Sequence, residues 1–181
     1  MTDTSVQLVV FDIGGVMVRI CRSWHDAFDH AGIAPDNGLL ENAVWIGRAN
    51  IDFECGRITH DELVTRATDV AATCTREQVT ALIDAWLIEP YAGVAAMIDR
   101  IKSAGMRTAC LSNTNARHWQ IMTESDPRFA HIPALDTRIA SHLVGVMKPD
   151  AGIYEALETA TNLTGKQIVF FDDLPANIAA A

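Results

Sequence analysis

No apolar run in this 181-residue chain approaches the roughly 18 residues that a membrane-spanning helix needs. The longest apolar stretch, Val6 to Ile20, is broken by Gln7, Asp12 and Arg19. The start, Met-Thr-Asp-Thr-Ser, lacks the basic segment and small-residue cleavage site of a secretory signal, so a cytoplasmic protein is expected. Paired cysteines are missing too. Cys21, Cys55, Cys74 and Cys110 are scattered without a C-x-x-C spacing, which points away from a zinc site or a disulfide framework and toward reduced, mostly buried thiols. Positive charge is scarce: 14 Lys plus Arg face 23 Asp plus Glu, a net charge of −9 that argues against nucleic acid or an anionic membrane as partner. There is no internal repeat, low-complexity tract or long charge run. What is present, 49% hydrophobic and 20% charged residues, suits one folded domain with room for an insert.

Leu8-Val9-Val10-Phe11 is a continuous apolar run that ends at Asp12 and meets Gly14-Gly15, the pattern of a strand covered on both faces followed by a tight turn. Thr108 to Leu111 and Ile168 to Phe171 repeat it. Between them, Val94, Met97, Ile98 and Ile101 fall on one helical face before Gly105, and Ile153, Leu157 and Ala160 do so before Gly165. Strands alternating with helices predict an α/β protein, a three-layer Rossmann-like core with a parallel sheet and right-handed crossovers. The stretch from Val18 to Glu89 differs, with helical patterns and no convincing buried strand. Ser23 opens a helix that carries Trp24 and Phe28 and stops near Gly32, while Thr59 with Glu62 and Thr75 with Gln78 form capping boxes. The expected division is therefore a discontinuous core, 1–17 and 90–181, with an all-helical insert at 18–89 closed by Pro90.

Ligands of open parallel sheets bind beyond the carboxyl ends of the strands. The residues there are Asp12, the run Ser112-Asn113-Thr114-Asn115, and Asp172-Asp173, each polar directly after an apolar run. Two adjacent carboxylates facing a third would repel without a cation between them, and an all-oxygen set suits Mg²⁺. Lys148, in Gly145-Val146-Met147-Lys148-Pro149-Asp150, can hold an anion beside that metal.

The series Phe11-Asp12-Ile13-Gly14-Gly15-Val16, Leu111-Ser112-Asn113, Lys148-Pro149 and Phe171-Asp172-Asp173 resembles the four ordered motifs of the haloacid dehalogenase superfamily. The insert after the first motif resembles the helical cap of its first cap class. Within it, Phe53-Glu54-Cys55-Gly56-Arg57-Ile58-Thr59 and Asp61-Glu62-Leu63 are similar to the cap signature of the branch containing glucose-1-phosphate phosphatases and the phosphatase domain of epoxide hydrolases. The resemblance implies an Mg²⁺-dependent phosphatase acting on a small phosphorylated metabolite, a sugar phosphate among the options. It makes Asp12 the nucleophile, Ser112 and Lys148 its catalytic partners, and Ser112, Asn113 and Lys148 the phosphate-binding residues. The metal ligands it implies are Asp12, the Gly14 backbone carbonyl, Asp172 and Asp173.

Two departures qualify the resemblance. The residue two after the nucleophile is usually a second Asp, which protonates the leaving group; here it is Gly14. General acid–base help is worth about 10²–10⁴-fold, or roughly 3–5 kcal/mol. Either a water or a cap group substitutes, or the substrate has a good leaving group, or catalysis is feeble and the chain is a non-catalytic phospholigand- or partner-binding domain. The chain also stops nine residues past Asp172, where the family pattern continues with a helix and strand, so a C-terminal truncation is expected. A 2-haloacid dehalogenase is the third option, and the paired Asp172-Asp173 argues against it. His118 reads as structural, Trp24, Trp45 and Trp86 as core of the insert, and Arg19, Arg22 and Arg48 as solvated cations outside the site.

Overall fold

The computed structural model describes residues 5–181. After β1 (Leu8–Phe11) and β2 (Val18–Ile20) come five helices, α1 (Trp24–Ala31), α2 (Asn37–Glu41), α3 (Ala43–Glu54), α4 (His60–Val70) and α5 (Arg76–Asp84). The chain returns through β3 (Leu87–Pro90), α6 (Val94–Ser103), β4 (Arg107–Ser112), α7 (Ala116–Gln120) and β5 (Thr137–Ala140). It ends with α8 (Ser141–Val144), α9 (Ala151–Thr161), β6 (Ile168–Phe171) and α10 (Pro175–Ala180).

The sheet runs β5-β4-β1-β6, all parallel, with the three expected strands in its middle and at one edge. Alternation along β1 sends Val9 and Phe11 into a cluster with Val94 and Ile98 of α6, and Leu8 and Val10 into a second cluster with Ile153 and Leu157 of α9. Helices thus cover both faces and give the three layers predicted. β5 is an addition to the sequence reading: Thr137 and Arg138 make it polar, and it lies at the other sheet edge.

The five helices α1–α5 pack around their own core of Phe28, Leu39, Phe53, Leu63, Val79 and Leu82. Both predicted capping boxes are present, and Ser23 and Gly32 bound α1 as expected. The expectation of no strand in this stretch needs correction. β2 and β3, of three and four residues, pair antiparallel at its two ends and form the stem through which the chain enters and leaves. They are too short to carry a period-2 signal. All four cysteines are free and buried, and among the described residues no helix is long and apolar enough to cross a membrane.

Candidate active site

Strand register brings the polar residues together. Phe11 pairs with Cys110 on one side and Phe171 on the other, so Asp12, Ser112 and Asp172-Asp173 emerge side by side at the carboxyl edge of the sheet. The Asp12 amide donates to the Phe171 carbonyl at 2.8 Å, which keeps the first and last of these positions adjacent. Ser112 ends β4 and is buried, its hydroxyl making only a 3.5 Å approach to the Asn113 carbonyl.

Lys148 arrives from the segment after α8 and lies buried between two acids, its Nζ 3.0 Å from Asp12 Oδ1 and 2.6 Å from Asp172 Oδ2. Asn113 fixes its backbone: the side-chain oxygen accepts from the Lys148 amide at 2.7 Å and the side-chain nitrogen donates to the Lys148 carbonyl at 2.9 Å. Asn113→Ala is therefore expected to loosen the lysine, with kcat about tenfold lower and stability down by about 1–2 kcal/mol, read by steady-state kinetics and urea unfolding. Burial pushes the Asp12 carboxyl up to about 6, Lys148 pulls it down and the Asp172 charge adds to the rise.

Asp172 is held on every side. Its Oδ1 accepts from the Leu174 amide at 2.9 Å, and the buried Asn177 amide donates to both of its oxygens. Asp173 pairs with Arg22 at 2.7 Å, so Arg22 is not the free solvated cation expected from the sequence, whereas Arg19 does pair outward, with Glu89. Gly15, at φ +80, sits where a side chain would collide with both Asp173 and Arg22. One carboxylate oxygen from each of Asp12, Asp172 and Asp173 lies within 4.8 Å of the others. Three hard oxygen donors at this spacing, with only one buried lysine among them, fit a small divalent cation such as Mg²⁺. Gly14 belongs to the same turn, bridged to Val18.

Above this edge lies a cavity of about 230 Å³ between the helical insert and the core, reaching from Gly14, Ser112 and Asn113 up to Trp24, Ile46, Leu63 and Trp86. Trp24 and Trp86 stack edge to face at 5.6 Å and line the cavity as well as the insert core, so they do more than fill it. Trp45 is 45% exposed and not core. His118 also lines the cavity, but both its ring nitrogens are engaged as a structural histidine's would be: Nε2 donates to the Ile83 carbonyl at 2.7 Å, which leaves Nδ1 to accept from Asn115 at 3.2 Å. With the Arg117–Asp84 pair, at 2.6 and 2.8 Å, it seats α5 of the insert on α7 of the core. Asn50 of α3, which the sequence did not single out, and Glu54, quoted there only as part of the cap signature, also face this cavity.

Residues 6–181 match the family model of haloacid dehalogenase-like hydrolases. The chain belongs to that family. Haloacid dehalogenase-like relatives include an (S)-2-haloacid dehalogenase of Pseudomonas putida, 29% identical over 98% of this chain and 80% of its own length. They also include a sesquiterpene phosphatase of Aspergillus oryzae, 24% identical over 98% of this chain and 86% of its own. The fold is shared with a family enzyme from Bacteroides thetaiotaomicron crystallised with magnesium and inorganic phosphate, at TM-score 0.78 and 17% identity, covering 97% of this chain and 89% of that one. Haloacid dehalogenase-like chemistry is hydrolytic, so this protein is a hydrolase of that family.

Proposed function

We propose that the protein is an Mg²⁺-dependent phosphatase of small phosphorylated metabolites, working through an aspartyl-phosphate on Asp12. The observation that carries this reading is the second acid, Asp173, added to Asp172 and Asp12 within 4.8 Å. Three carboxylates against Lys148 and Arg22 leave the site with net negative charge, which repels a phosphate dianion unless a metal offsets it. Asp12, Asp172, Asp173 and the Gly14 carbonyl would hold Mg²⁺, which when bound supplies charge neutralisation of the phosphate oxygens. Asp12 attacks phosphorus, Lys148 offsets charge on the nucleophile and the phosphate, Ser112 donates to a phosphate oxygen, and Asn113 keeps Lys148 in place. Residues 18–89 act as the cap that excludes water. The four buried free thiols accord with a reducing cytoplasm.

The cavity walls favour a carbon-rich substrate over the sugar considered from sequence. Ile20, Ile46, Leu63 and Met122 offer no hydrogen bonds to ring hydroxyls and the Trp24 and Trp86 ring faces add apolar surface, so hydroxyls could be satisfied only on the side of Asn50, Asn113 and Asn115, and each one buried without a partner costs about 1–3 kcal/mol. The sesquiterpene phosphatase relative is consistent with this preference. Gly14 and the apolar cavity favour a second reading, hydrolysis of a 2-haloacid, which the Pseudomonas putida relative also carries.

One assay separates them: phosphate release from aryl, sugar and branched alkyl phosphates and halide release from 2-chloropropionate, each with Mg²⁺ and with EDTA. The phosphatase predicts phosphate release that EDTA abolishes and Mg²⁺ restores, greatest on apolar esters. Halide release that survives EDTA establishes the dehalogenase instead. Tight Mg²⁺ and phosphate binding with no turnover moves the protein to a non-catalytic binding role.

A further inference from the structure

Glu54 is the last residue of α3 and lines the cavity together with Gly14, Ser112 and Asn113. Its backbone is pinned to the core. The Glu54 carbonyl accepts from Ser141 Oγ at 2.6 Å, and Ser141 is itself tied to Thr114, accepting from the Thr114 amide at 2.9 Å. Two residues on, Gly56 passes so close to the His142 carbonyl that a side chain would collide with it. The insert therefore lands on the core here, next to the loop after Ser112, and Glu54 is carried with it.

The chemistry of this position is unusual for a structural acid. Its one side-chain hydrogen bond, among the described residues, comes from the neutral Asn50 amide at 2.9 Å, and no cation pairs with it. It also sits at the negative end of a helix dipole, which disfavours the charged form. Burial pushes the carboxyl above its ordinary range and the Asp12 charge adds to the push, against a lowering by Asn50. A half-buried acid whose surroundings favour its neutral form, with a cavity in front of it and no cation to pair with, is placed as a proton donor needs to be.

We infer that Glu54 supplies the proton that Gly14 cannot, acting from the cap on the oxygen of the leaving group. The inference rests on the phosphatase reading. As the Asp12 oxygen bonds to phosphorus and the P–O ester bond breaks, the Glu54 carboxyl gives its proton to the departing alkoxide oxygen, and the alcohol leaves neutral. Glu54, now a carboxylate, takes a proton from the water whose oxygen attacks the phosphorus of the aspartyl-phosphate. Hydrogen phosphate is released, and Asp12 carboxylate and Glu54 acid are both restored. A proton donor on the cap also couples catalysis to closure, because the cap must be seated for the proton to be in reach.

The test compares wild type with Glu54→Gln on two Mg²⁺-dependent reactions, release of phosphate from 4-nitrophenyl phosphate and from 3-methylbutyl phosphate. An aryl oxide leaves without a proton and an alkoxide does not. Glu54→Gln is expected to lower kcat/KM about 10²–10⁴-fold on the alkyl ester and less than about tenfold on the aryl ester. Glu54→Asp, which retracts the carboxyl by one methylene, keeps the test available if the glutamine variant does not fold, with the same selectivity expected in smaller measure. Adding Gly14→Asp to Glu54→Gln is expected to restore alkyl turnover, since a Cβ at Gly14 meets only the flexible end of Ile20, at 3.0 Å. An equal loss on both esters would assign Glu54 a structural role, and no loss on the alkyl ester would remove it from the reaction. Either outcome overturns the inference while leaving the phosphatase intact. Wild-type protein that releases phosphate from neither ester overturns both.

Discussion

Phosphate release is expected to fall about 10⁴-fold or more when Asp12 becomes asparagine, while the metal-free protein gains stability at neutral pH. The activity loss follows from the nucleophile: an amide oxygen carries too little negative charge to displace the ester, and removal of a covalent nucleophile costs most of the catalysis it supports. The stability gain follows from burial. Desolvation holds the Asp12 carboxyl at about 6, above its unfolded value, so its contribution to stability is fully present below about pH 4 and is lost as pH rises through about 6. Asparagine has nearly the same shape and does not titrate, and Lys148 keeps its 2.6 Å partner in Asp172. The variant should therefore be more stable than wild type by on the order of 1–3 kcal/mol at pH 8, a difference that closes toward pH 4. Thermal melts in EDTA across that range, beside phosphate release with Mg²⁺, read both effects. An asparagine variant that turned over normally would mean that Asp12 is not the nucleophile, and one that melted below wild type at pH 8 would mean that it is not a strained buried acid.

What the sequence made legible was whatever repeats within a few residues or follows a strand directly. The runs at Leu8, Thr108 and Ile168 are buried on both faces, so their apolar continuity is a local signal. Asp12, Ser112 and Asp172 inherit their place from strand register, which parallel pairing sets once the strands are known. Thr59-x-x-Glu62 and Thr75-x-x-Gln78 carry their helix starts within four residues. The misses are features whose partners lie far along the chain. Arg22 looks solvated until Asp173 folds beside it, 151 residues away. Glu54 stands in the cap signature, but its place beside the cavity depends on contacts such as that of its carbonyl with Ser141, 87 residues on. β5 carries Thr137 and Arg138, polar enough at an exposed edge to hide the strand.

The largest stability effect is expected at Asp36, a residue outside the candidate site. Asp36 is buried at 1% exposure and caps α2 through the Leu39 amide at 2.9 Å. The same carboxylate accepts from the amides of Ala72, Thr73 and Cys74 at 2.9, 2.6 and 2.8 Å and from the Thr73 hydroxyl at 3.0 Å. It therefore organises the connection between α4 and α5 as well as the start of α2. Asp36→Ala leaves four amides without their acceptor. At about 1–3 kcal/mol for each buried group left unsatisfied, and with partial relaxation, the loss should reach about 3–5 kcal/mol. A domain holds only about 5–15 kcal/mol in total, so the melting midpoint should drop by roughly 10 °C or more. The pH dependence has a definite sign. Burial raises the Asp36 carboxyl, but the hydrogen bonds to Ala72, Leu39, Thr73 and Cys74 outweigh it and hold the group well below the carboxylate range. Its contribution is thus fully present above about pH 4 and is lost as pH falls toward the depressed folded value. Asp36→Asn keeps one acceptor oxygen and cannot titrate, so it should be less stable than wild type at pH 7 and lose less on acidification. Urea unfolding at pH 7 and pH 3 measures both slopes. If wild type and Asp36→Asn lost the same free energy between those values, the acid sensitivity of the cap would have to lie in other carboxylates. If Asp36→Ala melted with wild type, the four amides would have found other acceptors and the α2–α4–α5 junction would not depend on this residue.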